Sequence, residues 1–227
     1  MKSMETLNIK FVSYVYLLFI RTQFMELESQ LLEKSSALFM RYGIKSITMD
    51  DIAKGLGMSK KTIYQVVDNK ADLVYKTMES YLLVELAKLE TIKGKATDAV
   101  DEMILIVEST AIHIQGIDTT ILFDLQKYFP KAFDLFNDYR ENHIRKAILE
   151  NLERGKKEGY YRSNLNTDVI SKIYISIILS LFDQHTFPSQ KYSFLSLYTE
   201  FVNYHLQGIL SEKGMKYFEN KNNQKQK

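Results

Sequence analysis

The stretch Thr48-Met-Asp-Asp-Ile-Ala-Lys-Gly-Leu-Gly-Met-Ser-Lys-Lys-Thr-Ile-Tyr64 leaves the chain few ways to fold locally. It reads as two short helices joined by a three-residue turn, the second helix offering polar and cationic side chains. Ala53 is small enough for the two helices to approach closely. Gly57 can take the positive φ that the turn requires without a Cβ penalty. Ile63 comes round one turn into the second helix and plugs the angle between them. A unit of this kind lays its second helix in the major groove of DNA. DNA binding is therefore the first expectation.

At 227 residues the chain is longer than one such unit needs, so a small and a larger domain are expected. A hydrophobic content of 45% supports a sizeable core. There is no cysteine, which excludes disulfides, thiolate metal sites and a catalytic thiol, and suits a reducing cytoplasm. Net charge is only +2, yet between Gln30 and Lys70 seven cations face four carboxylates. That local excess fits a protein that touches phosphates at one place rather than coating a polyanion.

Residues 1–24 read as an extension. Phe11-Val-Ser-Tyr-Val-Tyr-Leu-Leu-Phe-Ile20 is apolar but about half the roughly 20 residues a spanning helix needs, and no small-residue cleavage site follows. A start at Met25, an extra docking helix and a membrane anchor are the three readings, the first favoured and the anchor least; no membrane partner is expected.

After Met25 the chain reads as all-α. A helix-turn-helix DNA-binding domain of three helices is expected over 25–72, a larger helical ligand-binding and dimerisation domain over 73–211, and a frayed tail over 212–227. Leu31, Ser35, Leu38, Phe39 and Tyr42 share one helix face, and Gly43 is a natural stop. Thr48 caps the next helix, with Asp51 three residues on in the manner of a capping box. Ser59 and Asn69 cap the third and fourth helices. In the fourth, Val74, Met78, Tyr81, Leu82 and Leu89 keep helical spacing, so it runs from one domain into the next. Further helices are expected at about 97 to 115, 118 to 128, 131 to 158, 167 to 185 and 190 to 210.

The last two of these helices are strongly apolar. Ile170, Tyr174, Ile177, Ile178, Leu181 and Phe182 stripe the first, and Phe194, Tyr198, Phe201, Val202 and His205 the second. Such helices must be covered on most sides. Two from each of two subunits would make a four-helix dimer interface, and a monomer core is the alternative. The aromatic cluster Phe123, Tyr128, Phe129, Phe133, Phe136 and Tyr139 around Pro130 is open to two readings as well. It is ordinary core, or it walls an apolar pocket in which His113 and tyrosine hydroxyls, Tyr174 included, orient a ligand.

Residues 28–75 resemble the DNA-binding domain of the TetR family of bacterial transcriptional regulators. The matching blocks are Ala37-Leu-Phe-x-x-Tyr-Gly, Ser46-Ile-Thr-Met-Asp-Asp-Ile-Ala, Gly57-Met-Ser-Lys-Lys-Thr-Ile-Tyr and Asn69-Lys-Ala-Asp-Leu73. Val67 departs from the pattern, which commonly has an aromatic residue there. A weaker likeness covers Gly155-Lys-Lys-Glu-Gly-Tyr-Tyr-Arg-Ser-Asn-Leu-Asn. The resemblance implies an all-α homodimer on a palindromic operator, with a divergent C-terminal domain for a small effector. It implies that Thr48 contacts phosphate from a helix start, that Ser59 belongs to the DNA-binding surface, and that Lys60, Lys61 and Thr62 face the groove. It also gives Tyr64 a phosphate or thymine methyl and makes Lys70 a backbone clamp. Gln65 has the amide to pair with adenine.

Other chemistry finds no support. The glycines around Leu56 do not precede a Lys-Ser/Thr pair as a phosphate loop demands. The four histidines His113, His143, His185 and His205 are scattered, so no metal and no cofactor are expected, and no nucleophile–base pair suggests an enzyme. The favoured reading is a cytoplasmic, sequence-specific transcriptional regulator, a repressor released by a small, largely apolar ligand. The alternatives are an architectural DNA-binding protein without an effector and a small-molecule carrier or enzyme retaining the fold.

Overall fold

The computed structural model describes residues 2–225, with side chains over 21–221. Helix α1 spans Lys2–Tyr42. The expected extension is thus continuous with the first helix of the DNA-binding unit; its side chains before Arg21 lie outside the described residues. Among the described residues no helix is long and apolar enough to cross a membrane. Gly43 ends α1 at φ 76°, its N–H donating to the Phe39 carbonyl at 2.9 Å. Helix α2 (Met49–Leu56) starts on the expected capping box: the Thr48 N–H donates to Asp51 Oδ2 at 2.8 Å and the Asp51 N–H to Thr48 Oγ1 at 3.2 Å. Gly57, at φ 65°, closes it. Helix α3 (Lys60–Ile63) is one turn capped by Ser59, and α4 (Lys70–Lys95) is capped by Asn69.

Ala53 and Ile63 are buried as the turn requires. With Leu31, Phe39, Ile52, Leu73 and Val74 they form the core of the first unit. Val67 is buried in it too, so a smaller side chain fills the place of the aromatic one. This core does not stop near residue 72. It takes in Ile121 and Leu125 of α6 (Ile121–Tyr128) and Ala132 and Tyr139 of α7 (Pro130–Tyr139). The DNA-binding unit is therefore seated on α6 and α7, across the boundary that sequence alone suggests.

A second core joins α5 (Ala99–Ile114), α8 (Arg145–Glu158), α9 (Thr167–Ser180) and α10 (Phe194–Ile209). The single helix expected over 131–158 is interrupted by a π-helical turn, Arg140–Ile144, and begins with Pro130, whose missing N–H costs nothing at a first turn. Helix α9 ends sooner than its apolar run, and Pro188 stands in the irregular stretch before α10. The tail expected to fray is instead α11 (Glu212–Lys225). Met215, Tyr217 and Phe218 pack on the second core, the Tyr217 hydroxyl donates to Asp98 Oδ2 at 2.6 Å, and Lys221 pairs with Asp101. Its polar composition had hidden a short apolar face.

Candidate nucleic-acid interface

Helix α3 buries Ile63, with Val66 and Val67 just beyond it, so its other side must face outward. Lys61, Tyr64 and Gln65, at i, i+3 and i+4, are exposed together, Tyr64 by 47%. Lys61 has no ion pair among the described residues. Lys60 is tied to α2, its ammonium 2.6 Å from Asp50 Oδ1, and this bond holds it above the usual lysine range. The pair is solvent-exposed, so it steers the side chain more than it stabilises the fold.

Four expected contacts are already engaged within the protein. Ser59 Oγ accepts the Thr62 N–H at 3.0 Å and lies 2.8 Å from Thr62 Oγ1, so both hydroxyls serve the cap. Thr48 Oγ1 donates to Asp51 Oδ2 at 2.6 Å, which, with the other cap bond, holds the Asp51 carboxyl below its usual range. Its hydroxyl proton is therefore not available to a phosphate, and the backbone of the α2 start is what remains. Lys70 differs most from expectation. Its ammonium donates to the carbonyls of Ile44 at 2.6 Å and Lys45 at 3.3 Å and lies 5.8 Å from the Phe129 ring. Partial burial draws its pKa below the ordinary value. Lys70 thus locks the α1–α2 turn from behind instead of reaching outward. Lys70→Ala should accordingly cost about 1 kcal/mol of stability. It should leave the salt dependence of DNA binding unchanged, whereas a lost phosphate contact would flatten its slope by about one. Thermal unfolding and salt titrations measure the two effects separately.

The same turn is held from the other side by α6, a connection with no local sequence signal. The Lys45 N–H donates to buried Asp124 Oδ2 at 2.7 Å, and the Lys45 ammonium donates to the Tyr128 hydroxyl at 3.0 Å. The Asp118 N–H donates to the Met40 carbonyl at 2.7 Å. A side chain at Gly43 would be tight here, its Cβ 3.0 Å from Thr120 Oγ1.

Beside this clasp lies a partly open, mainly apolar cavity of about 230 Å³. Leu82 and Leu89 of α4, Met103 of α5, Phe136 of α7, Ile148 of α8 and Ile178 of α9 supply its apolar wall. Of the expected pocket residues, Phe136, Tyr139 and Tyr174 line it. The others do not. His113 is exposed, its ring bonded to Lys88 Nζ at 2.7 Å; Phe123 is exposed; Tyr128 belongs to the clasp; and Phe133 packs on the first core. A wider surface groove between α4 and α7 carries Asp68, Asp72, Asp134 and Asp138, whose charge suits neither DNA nor an apolar ligand.

The expected dimer residues divide in the same way. Tyr174, Leu181, Phe194, Tyr198, Phe201, Val202 and His205 are buried in the chain's own core, where periodicity cannot distinguish an inner from an outer partner. Burial pushes the His205 imidazole down to about 4, so it is neutral there. Ile178 faces the cavity and Phe182 packs on Phe194 with ring centroids 4.3 Å apart. Ile170 and Ile177 are half-buried, while Val169, Ile173 and Tyr204 stand exposed on the same two helices.

The sequence profile of "Bacterial regulatory proteins, tetR family" matches residues 31–75, which spans α2, α3 and the parts of α1 and α4 that enclose them. Over those residues the chain carries a DNA-binding domain of the TetR-family type. The transcriptional repressor KstR2 of Mycobacterium tuberculosis is 24% identical over 144 residues, covering 62% of this chain and 72% of that protein. A TetR-family regulator from Agrobacterium tumefaciens superposes with a TM-score of 0.70 at 15% identity, over 83% of this chain and 100% of the other. A transcriptional regulator from Saccharomonospora viridis, solved in complex with choline, gives 0.66 at 20% identity, over 83% and 100%. The TetR-family fold therefore covers the C-terminal helices as well as the DNA-binding unit.

Proposed function

We propose that this protein is a cytoplasmic, homodimeric repressor of the TetR family that binds a palindromic operator through α3 and is released by a small, largely apolar ligand. The observation that carries the reading is the placement of the cavity. It is walled by α4, which begins at the DNA-binding unit, and by α7, which continues from the α6 clasp. An architectural protein without an effector would have a filled C-terminal core, so the cavity favours the ligand-responsive reading. The reading assigns the chain binding rather than catalysis.

A ligand can regulate only through different affinities for the DNA-competent and DNA-incompetent states. Filling the cavity shifts α4 and the α6–α7 elbow together, and with them the turn at residues 43–46. In a dimer this changes the separation of the two α3 helices, which must match the half-site spacing. A coupling of about 1–3 kcal/mol changes operator affinity by roughly 5–150-fold, and DNA then weakens the ligand by the same factor.

The dimer surface in this reading is the exposed apolar face of α9 and α10, with Val169, Ile173 and Tyr204 at its centre. Ile173→Asp should dissociate the dimer without unfolding the protomer, because the side chain is 46% exposed. Sedimentation at micromolar protein checks this; a variant that remains dimeric would move the interface elsewhere. The whole reading is tested by selecting bound sites from random duplexes. A palindrome is expected, and the absence of any enriched sequence would refute it.

A further inference from the structure

We propose that the cavity selects a compact, neutral hydrophobe bearing one carbonyl-type hydrogen-bond acceptor, which the hydroxyls of Tyr81 and Tyr139 bind together. This rests on the ligand-responsive reading above and names the ligand's chemistry.

Four phenols line the cavity, and they are not equivalent. Tyr198 is hydrogen-bonded to Thr110 and Tyr174, so those two phenols are occupied. The Tyr81 and Tyr139 side chains line the same cavity from two helices, and Tyr139 is only 8% exposed. A hydroxyl in so apolar a wall gains most from an acceptor brought in by a ligand, because little else there can take its proton. Burial pushes the Tyr139 phenol up to about 12 and raises Tyr81 further, so both are un-ionised donors.

The charges on the wall decide what kind of acceptor fits. The Glu85 carboxylate lines the same cavity and acts electrostatically on both phenols. It is neutralised by Lys88 at 2.7 Å, and Arg140 on the wall is matched by Glu141 at 3.2 Å. A ligand carboxylate would meet Glu85, and Arg140 already has Glu141 beside it. A quaternary ammonium has no lone pair to receive the phenol protons and finds its potential counter-ion already paired. A carbonyl oxygen has two lone pairs and no net charge, and so suits two donors.

Size narrows the class further. At the packing density of protein interiors, about 0.74, a cavity of about 230 Å³ holds roughly 170 Å³ of ligand, or roughly ten to twelve non-hydrogen atoms. A fused polycycle or a nucleotide-bearing acyl group would have to extend beyond it. The two donors stand on different helices, Tyr81 on α4 and Tyr139 on α7. One oxygen shared between them therefore ties together the two helices that bear on the DNA-binding unit.

The test is calorimetric titration of the full chain with three probes of matched size: 2-decanone, decanoate and heptyltrimethylammonium. The ketone should bind once per protomer and at least about 30-fold more tightly than either ion. Tyr81→Phe and Tyr139→Phe should each weaken the ketone about five-fold, as expected for one neutral hydrogen bond, with thermal unfolding confirming that both variants fold. Glu85→Gln should narrow the gap between ketone and decanoate. The proposal is overturned if either ion binds as tightly as the ketone, if both phenylalanine variants bind the ketone like the wild type, or if no probe binds. These titrations contain no DNA, so their failure is separable from that of the operator reading. A selected palindrome with no ketone binding would spare the repressor and remove this ligand class. Phenol-dependent ketone binding without any selected site would do the reverse.

Discussion

Replacing Lys61 and Tyr64 together by alanine is expected to abolish sequence discrimination on DNA while the protein stays folded. Both side chains lie on the exposed side of α3, and the residues that fix this helix to the domain are Ile63, Val66 and Val67 on its other side. Each contact that reads a base is worth roughly 1–3 kcal/mol, so the pair accounts for about two or more decades of specific affinity. Titration against a selected duplex at fixed salt measures the loss, and circular dichroism shows that the helices persist. Undiminished affinity would mean that another surface reads the DNA.

The largest effect on stability is expected from Gly155→Ala. The residue lies on α8 with the Tyr161 ring directly against it, and a Cβ would come within 2.1 Å of Tyr161 Cδ2. The ring has nowhere to go. Tyr161 is buried, and its hydroxyl is hydrogen-bonded to the Ala99 carbonyl at 3.1 Å and to Asn151 Oδ1 at 2.9 Å. Relieving the overlap means breaking those bonds or parting α8 from α5, at a cost of about 3 kcal/mol or more. Denaturant unfolding of the variant beside Gly94→Ala, where a Cβ would meet nothing within 4 Å, isolates the packing term. Equal stability of the two variants would contradict the close contact.

The DNA-binding unit was legible because its determinants are local. Caps at Thr48, Ser59 and Asn69 and the left-handed Gly57 act within a few residues of themselves, and each adopts the geometry expected of it. What sequence left open depends on long-range partners. The family resemblance makes Lys70 a phosphate clamp, but the carbonyl of Ile44 competes for its ammonium. Tyr198 and Phe201 have the periodicity of an interface and are core. Tyr81 was visible only as one apolar position on α4. Its place on the cavity wall appears when Tyr139, far along the chain, is set on the same cavity. The aromatic residues around Pro130 divide for a related reason: α6 turns Tyr128 toward Lys45, and α7 turns Phe136 inward.

The central claim is that α3 distinguishes one DNA sequence from another. The most direct measurement is the ratio of affinities of the full chain for its selected duplex and for a duplex of the same composition in scrambled order, at physiological salt. A sequence-specific regulator should bind the selected site at least about 10³-fold more tightly. Equal affinities, falling together as salt rises, would mean that the protein binds the phosphate backbone alone and would contradict the account.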